Sequence, residues 1–393
     1  MAAANEVQSL TRTEARQTAQ TYLNARIESG IGQRASKKPF SVPEIDIGPS
    51  FSSSLDDRKA VAAQIHDACT NSGFFHITKH GIPNATRQKI LALSERFFKT
   101  LTREKKEALH VRHNKYFRGY ESPDSTYVNP SDWDTEDAAP ETKEAFNWGY
   151  EVGLDPTGGD GKYRELDGAN VNGNVWPSEE DLPGFYDTVK EYYGQVLSLA
   201  RHLFQLFALS LDLPENFFDS MMTHPGGIAR LLYYPVSTSP EPMDSKQKDK
   251  EIGIGAHSDY ECFTILLCSS APGLESLTPE NVWVSAPAVD SSFIINVADL
   301  LMRWTNGVYK STIHRVINRT KEERYSVPFF FSNNYDQQVE VGFPDSTINI
   351  TVATANYVQT LSSCITADNP SKYPPIRAGE YILERLRATA KDF

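Results

Sequence analysis

Hydrophobic positions along the 393 residues change period repeatedly, and each change marks the passage from one kind of element to another. VPEIDI reads as a strand by alternation, with Val42, Ile45 and Ile47 apolar. Ser54, with Asp57 three residues on, opens a helix through Val61, Ile65 and Cys69 that stops near Gly73. FFHIT is a second strand, and Ile90, Leu93, Phe97 and Phe98 mark another amphipathic helix. Residues 121–182 then lose all periodicity and fill with Asp, Pro, Gly and Asn, as lids, binding segments or long connections do. Phe185, Val189, Tyr192, Val196, Leu199, Leu203 and Leu206 recur at helical spacing, giving a long helix that ends near Pro214 and lies across the core behind a sheet. From Ile228 to Ile350 the pattern turns to short strands between turns: RLLYYP, EIGIGAH, FTILL, VWVSA, FIINV, STIHRV and YSVPFFF. Such a series argues a double-sheet β architecture, a jelly roll.

The chain ends are less regular. A short helix is expected over Glu14–Ile27, followed by a linker to Pro39, and the charged STSPEPMDSKQKDKEI is expected as a surface loop between two strands. The expected organisation is an extension at 1–38, an N-terminal domain with the long helix at 39–220, a jelly-roll domain at 221–350 and a helical segment at 351–393.

Composition narrows the classes. A net charge of −12 argues against nucleic acid as a primary partner, and no apolar run reaches membrane-spanning length. The first residues lack the apolar stretch of a secretory signal. Four Cys without metal-type spacing point to reduced thiols, so a soluble cytoplasmic protein with a small-molecule partner is expected.

The chemistry concentrates in the strand-rich part. His257 and Asp259 are two apart in GIGAHSDYECFTILL, so on one strand they share a face. With His314 from STIHRVIN they supply two imidazoles and one carboxylate, the facial triad of non-haem Fe(II) oxygenases. Arg324 and Ser326, again two apart, suit a carboxylate-bearing co-substrate beside that metal. Phe330 and Ser332 continue the same face and should border the substrate pocket. Asp299, in NVADLL, is read as a structural acid because the triad is already complete.

These motifs, in this order, resemble the Fe(II)/2-oxoglutarate-dependent dioxygenases of the isopenicillin-N-synthase-like branch. The resemblance runs from about Pro39 onward through VPEIDIGPS, NSGFFHITKHGI, RLLYYP, GAHSDYECFTILL, RYSVPFFF and YPPIRAGEYILERL. It implies an α+β fold with a double-stranded β-helix (jelly roll) core, flanking helices and a helical/mixed N-terminal domain. It implies Fe(II) on His257, Asp259 and His314, with 2-oxoglutarate as co-substrate on Arg324, Ser326 and Tyr234 and O2 as oxidant. Tyr116, Phe117, Asn147 and Trp148 fall in segments that line the substrate mouth of relatives. The implied reaction is hydroxylation, desaturation or ring formation on a metabolite of specialised metabolism. One departure matters: Leu232 stands where many relatives have an Asn that orients the co-substrate. It leaves open an Fe(II) oxidase that needs no 2-oxoglutarate and holds the carboxylate of an amino-acid or peptide substrate at the Arg/Ser site.

Overall fold

Two facing sheets carry the molecule, and the space between them holds the candidate chemistry. The computed structural model describes residues 21, 24–26, 40–123, 141–162, 165–237, 252–336, 338–339, 357–358, 361, 364–373 and 376–389. In chain order the strands of the two main sheets are β1 (Glu44–Asp46), β2 (Phe74–Thr78), β3 (Gly119–Glu121), β4 (Glu144–Gly149), β5 (Pro225–Tyr234), β6 (Ile254–His257), β7 (Phe263–Cys268), β8 (Leu274–Leu277), β9 (Trp283–Ser285), β10 (Phe293–Val297), β11 (His314–Val316) and β12 (Arg324–Asn334), and Gln338–Val339, Tyr357–Val358 and Ile376–Arg377 form a small third sheet. The helices are α1 (Leu55–Asn71), α2 (Asn84–Thr100), α3 (Arg103–Ala108), α4 (Phe185–Ser210), α5 (Asp299–Trp304) and α6 (Ala378–Thr389). The larger sheet runs β1-β2-β10-β7-β12-β5-β4-β3 and the smaller β6-β11-β8-β9.

Strand alternation explains why one sheet can serve two compartments. On β12, Val327, Phe329 and Phe331 join the large core behind the sheet, whereas Arg324, Ser326, Pro328 and Phe330 line a cavity on its other side. Helix α4 packs on the core side. Its Phe204 ring lies 5.3 Å from Phe263 of β7 and 5.6 Å from Phe331 of β12, centroid to centroid. A second, smaller core lies between the sheets. Phe74, Leu232, Tyr234, Leu266 and Ile294 come to it from the large sheet, and Ile254, Leu274 and Val316 from the small one.

Local sequence rules account for the element ends. Ser54 caps α1, its side chain accepting from the Asp57 amide at 3.3 Å, and Asp56 and Asp57 lie in the first turn, where the helix dipole favours acids. Two residues beyond α1, Gly73 adopts φ +68°, and a Cβ there would sit 1.9 Å from the Lys310 carbonyl oxygen. Only glycine fits that turn.

Several expectations are refined. Strands β1 to β4, from before residue 220, extend the same sheet as β5, β7, β10 and β12, so the expected boundary at 220/221 falls within one continuous sheet. The tetrapeptide LESL forms β8, too short to show a period in the sequence. The expected helix over Glu14–Ile27 lies outside the described residues except at 21 and 24–26, which are helical; the insertion at 238–251 lies outside them altogether. Among the described residues no helix is long and apolar enough to cross a membrane.

Because Phe204 braces the two strands that carry site residues on their opposite faces, Phe204→Ala should cost about 3–5 kcal/mol of stability. Urea denaturation checks this, and a loss below about 1 kcal/mol would show that α4 does not brace the sheet.

Candidate active site

His257 ends β6 and His314 begins β11, and the two are direct antiparallel neighbours in the small sheet. That pairing places their ring centroids 4.3 Å apart. Asp259 does not lie on the strand, as the spacing predicted. It sits in the connection after β6, its carbonyl taken by the Asp299 amide at 3.0 Å instead of by a strand neighbour. The convergence survives: Asp259 Oδ1 lies 3.6 Å from Nε2 of each histidine. One ligand atom from each of the three residues can be chosen so that all lie within 4.8 Å of one another.

Surrounding hydrogen bonds orient every member. His257 Nδ1 donates to the Gly255 carbonyl at 2.8 Å and His314 Nδ1 to the Thr312 carbonyl at 3.0 Å, which turns both Nε2 atoms toward the shared point. Asp259 Oδ2 accepts from Thr264 Oγ1 at 2.5 Å and from Asn296 Nδ2 at 2.7 Å, leaving Oδ1 for the centre. Burial pushes the Asp259 carboxyl up, yet the His314 and His257 imidazoles hold it well below the usual carboxylate range. Burial together with the neighbouring His314 lowers His257, whereas the Asp259 carboxylate outweighs burial and raises His314. An ionised carboxylate facing two imidazoles, each with its other nitrogen occupied, is a donor set that suits a divalent metal.

Arg324 is 1% exposed and lies deeper along the same cavity. Its Nη1 donates to Ser326 Oγ at 3.2 Å, its Nη2 lies 3.2 Å from Cys268 Sγ, and its plane lies over the Tyr234 ring at 4.9 Å. Nε has no partner, and no carboxylate among the described residues pairs with the guanidinium. A buried guanidinium held only by neutral groups calls for an anion. Burial raises the Tyr234 phenol, against the pull of Arg324, so it stays a hydroxyl donor. Leu232, in register with Ser326, is an apolar wall of this chamber.

A second chamber of about 80 Å³ shares Leu232, Ile254, His257, Asp259 and Phe330 with the first. Phe117 and Phe330 line it. Asn147 stands behind it, accepting from Arg230 Nε at 2.7 Å while its own amide donates to Glu121. Trp148, next along β4, points to the opposite face and packs against Phe146 and Trp176 in the large core. Tyr116 lies beneath Lys115, whose ammonium sits 4.5 Å from its ring centroid, and Ser332 bonds Asn333; neither lines a chamber. Missing from the sequence reading were Arg230, Lys143, Glu261 and the α6 residues Ile382 and Leu386, all of which line this chamber. Alternation back from Tyr234 through Leu232 reaches Arg230 and Ile228, a signal the sequence contains. Asp299 is a staple rather than a ligand: Ser258, Ser311 and Tyr381 hydroxyls all donate to its carboxylate, at 3.1, 2.6 and 2.9 Å.

Residues 42–179 match the family described as non-haem dioxygenase in morphine synthesis N-terminal, and residues 225–333 match the 2OG-Fe(II) oxygenase superfamily. The chain is 34% identical over 357 residues to the 2-oxoglutarate-Fe(II) type oxidoreductase ppzC of Metarhizium majus, covering 88% of this chain and 87% of that one. This chain belongs to the 2OG-Fe(II) oxygenase superfamily. The oxygenase is equally 34% identical, over 348 residues, to the oxidoreductase hxnY of Emericella nidulans, covering 88% of this chain and 89% of the relative. A full-length Neurospora crassa protein, crystallised with alpha-KG and thymine, matches its fold with a TM-score of 0.71 at 26% identity, covering 90% of this chain and 98% of that chain. The oxygenase thus uses Fe(II), 2-oxoglutarate and O2 on a jelly-roll core.

Asn296→Ala removes one of the two donors that fix Asp259 Oδ2. The expected result is metal affinity about 10–100-fold weaker with the fold intact. Anaerobic Fe(II) titration checks it, and unchanged affinity would show that Thr264 alone suffices.

Proposed function

We propose that His257, His314 and Asp259 hold Fe(II) through Nε2, Nε2 and Oδ1, and that Arg324, Ser326 and Tyr234 hold the distal carboxylate of 2-oxoglutarate. The buried guanidinium without a carboxylate partner, along one cavity with the donor set, carries this reading. When bound, iron and 2-oxoglutarate supply the oxidising chemistry, consuming O2 and releasing succinate and CO2 as a substrate C–H bond is oxidised. The protein's own residues do the placing. The His314 and His257 imidazoles keep Asp259 ionised, Thr264 and Asn296 aim it, and the Gly255 and Thr312 carbonyls keep both imidazoles in one tautomer. Leu232, Ile254 and Phe330 wall both chambers with apolar surface, which keeps water from the reacting carbon.

The substrate is a small metabolite, seated in the chamber lined by Phe117, Arg230 and Phe330. The fungal relatives support a place in specialised metabolism, and four free cysteines go with a cytoplasmic location. The relatives' names do not favour an oxidase independent of 2-oxoglutarate.

Anaerobic Fe(II) with 2-oxoglutarate should give the weak visible charge-transfer band of the chelate. His257→Ala should abolish the band, and Arg324→Ala should weaken 2-oxoglutarate binding about tenfold to hundredfold, the loss of a charge-assisted bond, while leaving iron binding in place. Iron binding without a band in the wild type would return the site to a carboxylate-bearing substrate.

A further inference from the structure

The start of α2 carries two positive features and no negative one. Pro83 holds its N-cap position, no side chain caps it, and its first turn contains no acid. The partial positive charge at such an end favours an anion. The fourth residue of the helix is instead Arg87, which is 6% exposed. Side chains lean back toward the N-terminus of their helix, and the Arg87 guanidinium does so: Nη2 donates to the Asn84 side-chain carbonyl at 3.2 Å. That neutral amide is its one bonded partner among the described residues, and Nε is enclosed without any. Burial pulls the pKa of the guanidinium down, and the only group opposing this is the Tyr192 phenol; no carboxylate contributes. A buried cation held by one neutral group, at a helix end of the same sign, lacks the counter-charge that burial demands.

A cavity of about 590 Å³ opens beside it, between α2, the connection after β7 and the connection before β10. Arg87 lines this cavity with Asn84, Gln88, Ser270 and Ser291. Its Nη1 has no bond and is not among the fully enclosed atoms, so it is the nitrogen left open to the cavity. Gln88, Ser270 and Ser291 are exposed and can add neutral donors. The acids of the neighbourhood do not supply the missing charge. Glu191 accepts from Thr86 Oγ1 at 3.2 Å and from Lys89 Nζ at 2.7 Å. Glu95 and Asp290 are exposed on the cavity rim and form no ion pair with Arg87.

We propose that this cavity is a second anion site, in which Arg87 and the start of α2 hold a single carboxylate or phosphate group of a small molecule. The cavity shares no lining residue with the one that Arg324 lines, so the two anions do not compete for one place. Glu95 and Asp290 on the rim repel a polyanion and leave room for one charged group. The chain's net charge of −12 opposes loose adsorption of anions, so binding has to be local to the guanidinium.

The test titrates the metal-free full-length protein with inorganic phosphate and with acetate, following the line width of the anion's own NMR signal. At least one of the two should bind saturably to the wild type. Its affinity should fall about tenfold or more in Arg87→Gln, the loss of a charge-assisted bond, and change by less than about threefold in Arg324→Ala. No saturable binding of either anion to the wild type overturns the proposal. Binding that Arg87→Gln leaves unchanged overturns it too, as does binding lost in Arg324→Ala, which places the ion in the other cavity. Circular dichroism reports whether each variant folds. If Arg87→Gln does not, Arg87→Met keeps the reach of the side chain without its charge and is read in its place. If neither folds, the Arg324→Ala titration decides: saturable binding that survives there lies outside the Arg324 cavity and supports the site, and its loss overturns it.

Discussion

Everything at this site depends on keeping one buried carboxylate ionised and correctly aimed. Asp259 is almost wholly removed from water, which by itself opposes its charge. Two imidazoles facing one oxygen reverse that balance, and two hydrogen-bond donors fix the other oxygen in place. Those partners come from β6, β7, β10 and β11, so the carboxylate is aimed only when strands of both sheets are in register. The geometry of the donor set is therefore a property of the sandwich and not of any one segment.

The same logic extends outward through a second buried carboxylate. Asp299 takes hydroxyls from the residue between His257 and Asp259, from the lead-in to His314 and from Tyr381 of α6, while its amide holds the Asp259 carbonyl. One side chain thereby ties the segments of His257, Asp259 and His314 to the helix that lines the second chamber with Ile382 and Leu386. Behind the sheet, the aromatic contacts of α4 with β7 and β12 set the positions from which Thr264 and Arg324 reach the opposite side. Stability on one face and geometry on the other are consequences of a single alternation.

Substrate-side residues show where linear reasoning lost its footing. Alternation along β12 carried Phe330 into the chamber as expected, but not Ser332, which bonds its neighbour Asn333 instead. Asn147 and Trp148 were expected together, yet adjacent residues of a strand face opposite ways, and only Asn147 lies on the chamber side, behind Arg230. Glu261 stands two residues past Asp259 in a connection without a period, so no pattern distinguished it from a surface acid. Its carboxyl group is held by Tyr335, 74 positions away.

The amino-acid sequence by itself determined the element types, the jelly-roll class, and the residues able to bind metal and carboxylate. Each of these follows from local periodicity or from side-chain chemistry at short spacing: His257 with Asp259, Arg324 with Ser326, the helical stripe from Phe185 to Leu206. Only the tertiary structure decided that residues before 220 share a sheet with those after it, that Asp259 leaves the strand, which groups the structural Asp299 ties together, and which side chains line the two chambers. The physical reason is the same in each case. Such properties depend on which buried polar groups find partners, and the partners are brought together by strand pairing and helix packing between segments far apart in the chain.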